Sequence, residues 1–427
     1  MKFAALWPIL LTVLVPMPIG TDRRRLSMPW ATMGIILINT VVFLMLRPDM
    51  AGDDASLIRY GLVPGHPLSA AFVTSLFIHV SMLHLLWNMA FLLFFGSHVE
   101  DALGPVAFLV LYVGSGVTAS LCHLVICLLL AGGRPELLTQ PLVGASGAIS
   151  GMLAPYAVRY YRSRLRLVWL PGYLLGLKGR TFGIPALAVV FLWLIQNVLG
   201  AVRGTVTDAG GIAYWAHLGG FAFGLIIAEA TGLLRDGRAE YLLEDARSAA
   251  LASGGTSPAA IQSFREYIAL CPGDWRVRLE LAVTLRGSGT PGARRESLAI
   301  VSDVLKQKLV GDSGGLAVYA EALRLDLPVD LSARETLRLA GLAQDAGQAD
   351  LARSLLGALV RDTPDAPEAE MARLKLGQLL LRSDPARAQA FLLEFVSRYP
   401  RSAWIERAED LLSESRVLLD NARKSGK

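Results

Sequence analysis

Residues 142–150, LVGASGAIS, place two serines among small apolar residues and carry no charge. One interpretation is structural, because small residues let membrane helices approach closely and Gly147 with Gly151 forms a small-xxx-small pair. The other interpretation is chemical: one of the serines is a nucleophile. A serine becomes a useful nucleophile when a neutral imidazole lies within hydrogen-bond reach. The choice between the two depends on finding such a base.

The candidate base is His217, in residues 214–220, YWAHLGG. Ionisable side chains inside a membrane are costly and are functional candidates for that reason. His217 lies about six residues into its apolar run and Ser146 four residues into its own. At a rise of 1.5 Å per residue, both lie roughly 6–9 Å below the outer end of a helix. The equal depth predicts a Ser146–His217 pair, with Ser150 one turn further along and below the imidazole.

A second polar group lies in residues 77–88, FIHVSMLHLLWN. His84 and Asn88 are four residues apart and therefore share one helical face. Attack on a carbonyl needs donors directed at the developing oxyanion. His84, Asn88 and the backbone N–H of Ser146 are donors of the right type. Hydrolysis also needs a cavity open to water, and its candidate lining residues are His79, Ser81 and Gln196. His123 in the third apolar run has no evident partner and is interpreted as a packed residue.

Glycine spacing predicts how the serine and the histidine meet. Gly147 and Gly151 lie four residues apart, as do Gly220 and Gly224. A glycine on each turn of two facing helices lets their backbones approach closely. We therefore expect these glycines, together with Gly144, to pack at the site rather than to replace a catalytic role for Ser146.

The elements that carry these residues are six apolar runs. A bilayer core of roughly 30 Å requires about 20 apolar residues per helix. The sequence thus predicts an all-α fold that begins with a polytopic six-helix transmembrane bundle. The predicted spans are Trp30–Leu46, Ala71–Phe95, Pro105–Ala131, Leu142–Tyr160, Phe182–Val202 and Gly211–Leu233.

Basic residues indicate the orientation of the bundle. Arginines cluster at positions 23–25, between positions 159 and 180, and after the sixth run. All three clusters fall on one side of six alternating helices, which predicts a cytoplasmic C-terminal region. Three cysteines form no disulfide framework, which fits a reducing compartment. We expect a multi-pass protein of a bacterial inner membrane. The stretch Phe3–Ile19 is expected to be interfacial or loosely ordered rather than a further span, since it contains three prolines.

Charge and motif content exclude several function classes. The net charge is +5 and the pI is about 9.1. The basic residues lie in loops, and the sequence has no basic arm with interleaved aromatics, so we expect no nucleic-acid partner. The zinc-protease motif His-Glu-x-x-His is absent. We expect no metal and no cofactor.

Taken in order, three motifs resemble rhomboid intramembrane serine proteases over about residues 20–235. Residues 144–147, GASG, look like the GxSG motif of that family, and residues 216–224 look like its histidine motif. His84 and Asn88, with His79 before them, resemble its second helix. The resemblance implies a Ser146–His217 dyad with no acidic third member and an oxyanion hole formed by His84, Asn88 and the Ser146 amide. It further implies transmembrane protein substrates, cut near their extracytoplasmic ends. Family members often carry an aromatic residue where this chain has Ser150.

Beyond about residue 240, amphipathic helices with charged outer faces replace the apolar runs. The ends of three of these helices are similar, and the last two end at prolines 36 residues apart, Pro364 and Pro400. This spacing is near the 34-residue period of tetratricopeptide (TPR) arrays. It predicts a TPR-like repeat with a groove for a peptide or protein ligand; the alternative is a helical tail that aids folding. The predicted helices are Pro258–Leu270, Trp275–Arg286, Ala293–Lys306, Gly315–Leu325, Ala333–Ala346, Gln348–Arg361, Pro367–Leu381, Pro385–Arg398 and Ala403–Leu419.

These features together predict four segments and one main function. The segments are an N-terminal apolar and basic stretch, 1–28, a rhomboid-like membrane domain, 29–235, a linker, 236–256, and a cytoplasmic helical-repeat domain, 257–427. The function is an intramembrane serine endopeptidase whose repeats bind a partner or a substrate. The alternative is a non-proteolytic scaffold that binds membrane helices in the lipid bilayer.

Overall fold

A computed structural model of the chain describes residues 17–23, 25–46, 55–168, 182–207, 211–311 and 314–424. The chain divides into two compact units, Met1–Glu240 and Tyr241–Lys427. Nearly all of the described secondary structure is helical, which confirms the predicted fold class. Most of the predicted interfacial stretch, and many of the charges used to orient the loops, lie outside the described residues.

A helix lies at each of the six predicted spans of the first unit, here called the membrane unit. Among the described residues, three helices are each long and apolar enough to cross a membrane: α4 (Met82–Leu103), α5 (Pro105–Leu130) and α7 (Ala186–Val206). A fourth span results if α8 (Ala213–Ala230) is joined to the helix that follows it. α1 and α6 are shorter. The helices are α1 Trp30–Leu46, α2 Ala55–Tyr60, α3 Ala71–Thr74, α4 Met82–Leu103, α5 Pro105–Leu130, α6 Ser146–Arg159, α7 Ala186–Val206 and α8 Ala213–Ala230.

Three of the predicted spans begin four or more residues too early. The second was predicted from Ala71, but α4 starts at Met82 after the side chain of Ser81 accepts a hydrogen bond from the His84 backbone N–H. The fourth was predicted from Leu142, but α6 starts at Ser146. The fifth was predicted from Phe182, but residues 182–185 form a strand and α7 starts at Ala186. An apolar run indicates which residues lie within the membrane, but it does not indicate where the helix begins. Irregular backbone is tolerated within the membrane where protein surrounds it.

A small antiparallel sheet, which the sequence analysis did not predict, joins parts of the chain that border the membrane helices. Its middle strand alternates in the way that strands do: Leu165 and Leu167 are buried, whereas Arg164 and Arg166 are exposed. The strands, in sheet order, are β1 Met17–Thr21, β2 Arg164–Val168 and β3 Phe182–Pro185.

The first helix of the membrane unit is anchored by a buried carboxylate. The Glu100 side chain accepts hydrogen bonds from the Ala31 N–H at 2.9 Å, the Thr32 N–H at 2.8 Å and the Thr32 hydroxyl at 2.7 Å. The first N–H groups of a helix lack intrahelical partners, and the helix dipole favours a negative charge beside them. Glu100 on α4 therefore fixes the start of α1.

The second unit consists of helices close to those predicted, with bounds that differ by five residues or fewer. Most of residues 236–256, which were predicted to form a linker, belong to the helix α9, which is rich in alanine, leucine and glutamate. The helices from α9 onward are α9 Leu233–Ala252, α10 Pro258–Leu270, α11 Trp275–Gly287, α12 Pro291–Gly311, α13 Gly314–Arg324, α14 Ala333–Asp345, α15 Ala349–Asp362, α16 Pro367–Leu380, α17 Pro385–Arg398 and α18 Ile405–Lys424.

Candidate active site

Ser146 is the first residue of α6, a helix enclosed by the rest of the membrane unit. Residues 147–157 of this helix are all buried, whereas Ser146 itself is half-buried. Fourteen residues at 1.5 Å each give a helix of about 21 Å, shorter than the roughly 30 Å bilayer core. A helix that is enclosed and short can place its N-terminus, and therefore Ser146, below the membrane surface.

Gly144 shapes the turn that leads into Ser146. Its φ of +114° lies in the region that favours glycine, and its N–H donates to the Ser75 carbonyl at 2.9 Å. A Cβ at this position would stand 2.8 Å from His84 Cε1 and 3.9 Å from Asn88 Nδ2. Glycine is therefore needed at position 144 both for the backbone conformation and for the close approach of the two α4 side chains.

The structure brings Ser146 and His217 into direct contact. Ser146 Oγ lies 2.9 Å from His217 Nε2, within hydrogen-bond distance. His217 is half-buried in the first turns of α8. This is the nucleophile–base distance that acyl transfer requires.

Close packing of α6 on α8 makes that contact possible. A Cβ on Gly220 would lie 2.0 Å from the Gly147 carbonyl oxygen, and one on Gly224 would lie 2.0 Å from that of Gly151. A Cβ on Gly151 would meet Ser115 Oγ of α5, also at 2.0 Å. Four of the five glycines expected to pack at the site therefore lie at one helix–helix contact directly below Ser146, where no larger side chain fits. The fifth, Gly144, lies in the turn before α6 and not in a helix.

His84 and Asn88 lie on the other side of the Gly144 turn. Asn88 is buried and its Nδ2 donates to the His84 carbonyl at 3.1 Å, while His84 is half-buried. The first N–H groups of α6, that of Ser146 included, have no intrahelical acceptor and stand at the positive end of the helix. Side-chain donors from α4 and a helix N-terminus thus border the same turn.

Ser150 does not duplicate the role of Ser146. Its side chain is buried and its hydroxyl donates to the Ser146 carbonyl at 2.7 Å, within the same helix. The aromatic neighbours of His217 come from elsewhere. The Tyr214 ring is 6.1 Å from the imidazole at 84° and the Trp193 ring is 6.4 Å away at 34°. Both separations are typical of aromatic pairs, so the imidazole has ring partners without an aromatic residue at position 150.

Asn197 on α7 is a site residue that was not predicted from the sequence, and it is 2% exposed. Its Oδ1 lies 2.8 Å from His217 Nδ1, and its Nδ2 donates to the Trp193 carbonyl at 2.8 Å. Gln196 was the α7 side chain predicted to line a cavity, but it is exposed. The sequence signal that was available is a second amide side chain, next to Gln196 in the same apolar helix. Which of the two faces inward depends on the rotation of the helix about its axis.

Two further histidines, His79 and His123, differ in their relation to the site. His79 is buried with its ring centroid 5.1 Å from that of His84, beside the candidate site, and Ser81 is half-buried as the cap of α4. His123 lies apart, with its Nε2 3.4 Å from the sulfur of Cys127 one turn along α5. Within the described ranges, no three His, Cys, Asp or Glu side chains converge on a possible metal site. The reacting groups that the geometry offers are a serine, an imidazole and hydrogen-bond donors.

Residues 69–232 match the family model of the Rhomboid domain. Over 229 residues the chain is 29% identical to the mouse Presenilin-associated rhomboid-like protein, mitochondrial, a match that covers 49% of this chain and 53% of that one. It is 32% identical over 197 residues to the zebrafish Presenilin-associated rhomboid-like protein A, mitochondrial, which covers 45% of each chain. It is 28% identical over 214 residues to the Rhomboid protease GluP of Bacillus subtilis, over 49% of this chain and 36% of that one. The chain thus spans about half the length, or less, of these curated relatives.

Proposed function

Since the chain is a rhomboid family member through residues 69–232 and an integral membrane protein, we propose that it is an intramembrane serine endopeptidase. One observation carries the proposal: Ser146 Oγ lies 2.9 Å from His217 Nε2 at the start of an enclosed helix. A helix that only packed would need its glycines, but it would have no need of a serine paired with an imidazole.

In the proposed reaction, His217 Nε2 accepts the proton of the Ser146 hydroxyl as Oγ attacks the substrate carbonyl carbon. The carbonyl oxygen gains negative charge and is stabilised by the Ser146 N–H, with His84 and Asn88 as side-chain donors. The imidazolium then protonates the leaving amine, and an acyl-enzyme remains on Ser146. Water, deprotonated by the same imidazole, hydrolyses that ester and restores the serine.

We propose single-span membrane proteins as the substrates. Within a helix, each peptide carbonyl is hydrogen-bonded and shielded by side chains, and leaving such groups unpaired in lipid costs several kcal/mol. A scissile bond must therefore leave its helix before attack. Segments that unwind easily near the membrane surface, where we expect Ser146 to lie, meet that requirement best.

The test is cleavage of a model single-span substrate in vesicles that contain the purified full-length protein. Ser146→Ala and His217→Ala should each reduce the rate by at least about a thousandfold, because each removes a reacting group. Ser150→Ala is the matched control and should cleave at close to the wild-type rate, since its hydroxyl bonds only its own helix. Binding of the substrate without cleavage by the wild type would instead identify a non-proteolytic scaffold.

For the C-terminal unit we propose a TPR-like role in binding a partner or substrate peptide. The supporting feature is a groove of about 580 Å³ that joins α15, α16 and α17. Its lining contains three arginines, Arg353, Arg361 and Arg387, one acid, Asp384, and apolar side chains such as Phe391. An excess of basic side chains beside apolar ones suits a peptide with acidic residues.

A double variant, Arg353→Glu with Arg387→Glu, tests this role in the full-length protein. Cleavage of a model substrate that consists of a membrane span alone should stay within about twofold of wild type. When the enzyme is expressed in cells, the set of membrane proteins whose full-length forms decrease in abundance should differ between the double variant and the wild type. The same set with the double variant as with the wild type would show that the groove takes no part in substrate choice.

The orientation, with the C-terminal unit in the cytoplasm, is part of the proposal and rests on the basic loops. The kind of membrane stays a prediction. Several relatives carry a mitochondrial name, so the comparison with known proteins does not favour the bacterial inner membrane that the sequence suggested.

A further inference from the structure

The second nitrogen of the candidate base also has a defined partner. His217 Nδ1 lies 2.8 Å from the Asn197 side-chain oxygen, on the opposite edge of the ring from Ser146. Asn197 is 2% exposed, although its neighbours on α7, Gln196 and Val198, are exposed. A buried amide is costly unless both of its ends are hydrogen-bonded, so this side chain and its partners form a specific arrangement.

The amide can be oriented in only one way. One of its ends lies 2.8 Å from the Trp193 carbonyl oxygen, one turn earlier in α7. A carbonyl oxygen only accepts hydrogen bonds, so the end that faces it must be the NH2 group. The end that faces His217 is therefore the oxygen. The Trp193 carbonyl can only accept, and it therefore determines which group donates and which accepts in each of the hydrogen bonds that follow.

The same logic decides the tautomer of the imidazole. The amide oxygen of Asn197 cannot donate, so in neutral His217 the proton must be on Nδ1. The lone pair then lies on Nε2, which faces the Ser146 hydroxyl. This is the tautomer that can remove the serine proton; the other one would present an N–H to the serine and could not act as a base.

We propose that Asn197 is a positioning residue that holds His217 in this reactive tautomer and orientation, completing a Ser146–His217–Asn197 chain. The inference rests on the proposed function. Asn197 touches no reacting atom in this scheme and acts only through the imidazole. Because the amide is neutral, it orients the imidazolium formed during attack without the full charge that a carboxylate would supply.

The structure provides a matched control in Asn39 on α1. This asparagine is also fully buried, and its Nδ2 also donates to the carbonyl four residues earlier, that of Ile35, at 2.9 Å. Replacing either residue with leucine removes a buried amide and an i−4 bond from an apolar helix. Only the replacement at position 197 removes the acceptor from His217. A purely structural role for Asn197 would therefore resemble that of Asn39.

The first experiment measures how fast a fluorophosphonate labels Ser146 of the full-length protein as pH is varied. Asn197→Leu should lower the limiting rate per labelled site by about 10- to 100-fold, the usual loss when a supporting hydrogen bond is removed. Asn197→Asp keeps an acceptor beside Nδ1. It should label about tenfold faster than Asn197→Leu, with a pH midpoint about one unit above wild type because a carboxylate favours the imidazolium. Asn39→Leu should keep the wild-type rate per site and midpoint.

Equal rates in the leucine and aspartate variants, both with the wild-type midpoint, would overturn the proposal. The proposal would also be overturned if Asn197→Leu had fewer labelled sites but an unchanged rate per site. That is the result expected of Asn39→Leu if it were merely less stable. If wild type is not labelled at Ser146, the proposed function fails rather than the positioning role alone.

A second measurement separates the tautomer from activity. The ¹⁵N resonances of His217, assigned by their absence from His217→Asn, report which ring nitrogen carries the proton. Wild type should show the Nδ1–H form, and Asn197→Leu should show a mixture of the two forms. An Nε2–H imidazole in the wild type would overturn the positioning role whatever the enzymatic result.

Discussion

The two units are both helical, but different interactions hold their helices together. In the membrane unit, α6 and α8 meet through glycines, and the Gly220 and Gly224 backbones lie against carbonyl oxygens of α6. In the C-terminal unit, the core consists of leucine, alanine and phenylalanine side chains such as Leu356, Leu392 and Phe395. Lipid is as apolar as leucine, so burying leucine cannot drive helix association in a membrane as it does in water. Close backbone contact takes its place.

Charged groups differ between the units in the same way. Glu100 in the membrane unit is 3% exposed and accepts three hydrogen bonds from the start of α1. The ion pairs of the C-terminal unit lie mostly on the surface, as Arg265 with Glu296 does at 2.8 Å. Exposed pairs contribute roughly 0–1 kcal/mol. A buried carboxylate is costly unless it is satisfied, so its removal is expected to have a larger effect.

The difference explains where the candidate site lies. The glycine contacts between α6 and α8 leave no room for a Cβ. Such close backbone packing holds the two helices in the fixed relation that a 2.9 Å contact between a serine and a histidine requires. A core of flexible leucines tolerates small shifts and repacking. This difference agrees with the proposal that the membrane unit carries the chemistry and the C-terminal unit binds a partner.

The largest effect is expected from the same substitution made in both units. Gly220→Ala places a methyl group 2.0 Å from the Gly147 carbonyl oxygen and should destabilise the membrane unit by about 3 kcal/mol, with loss of activity. Gly341 in α14 has no atom within 4 Å of the position that a Cβ would take. Gly341→Ala should stabilise the C-terminal unit by about 0.5–1 kcal/mol, because alanine is the better helix former. Thermal unfolding of each variant measures both signs.

Gly34→Ala on α1 is the control within the membrane unit, since no atom lies within 4 Å of its added Cβ. It should leave activity near wild type and should not lower stability, because alanine is the better helix former. Equal tolerance of alanine at positions 34 and 220 would contradict the account of glycine packing.

A smaller difference is expected between the two kinds of carboxylate. Glu100→Gln replaces one carboxylate oxygen with an NH2 donor, so the N–H of either Ala31 or Thr32 loses its acceptor, and the change should cost about 2 kcal/mol. Glu296→Gln removes the negative charge that is paired with Arg265 at the surface and should cost less than about 1 kcal/mol. Raising the salt concentration should reduce the second effect and leave the first nearly unchanged.

The readout is the shift in unfolding midpoint of each variant at low and high salt. A cost for Glu100→Gln no larger than that for Glu296→Gln would show that the buried carboxylate does not anchor α1.

Much of the fold was predictable because its signals are local. The capped amphipathic helices of the C-terminal unit were located to within a few residues, since apolar periodicity and prolines such as Pro258 and Pro385 mark their limits. The pairing of Ser146 with His217 was also expected, because equal depth in two apolar runs restricts which side chains can meet. The small sheet was missed although Arg164 to Leu167 alternates, because its charges were interpreted only as orienting the loop.

Other features depend on rotation about a helix axis, which apolar runs do not reveal. Asn197 and Gln196 are adjacent amides in the same run, and only packing decides that Asn197 is buried. The starts of α4 and α6 were misplaced because the turns before them are as apolar as the helices themselves. Gly144 shows the cause at α6: its positive φ ends the irregular turn just before Ser146.

The central claim is that Ser146, activated by His217, is the nucleophile of this protein. The most direct test is to react the full-length protein in vesicles with a fluorophosphonate and to locate the adduct by peptide mass spectrometry. The account predicts an adduct on Ser146, none on Ser150, and at least about a thousandfold slower labelling of His217→Ala. An adduct on another residue, or labelling of Ser146 that is as fast without the imidazole as with it, would contradict the claim.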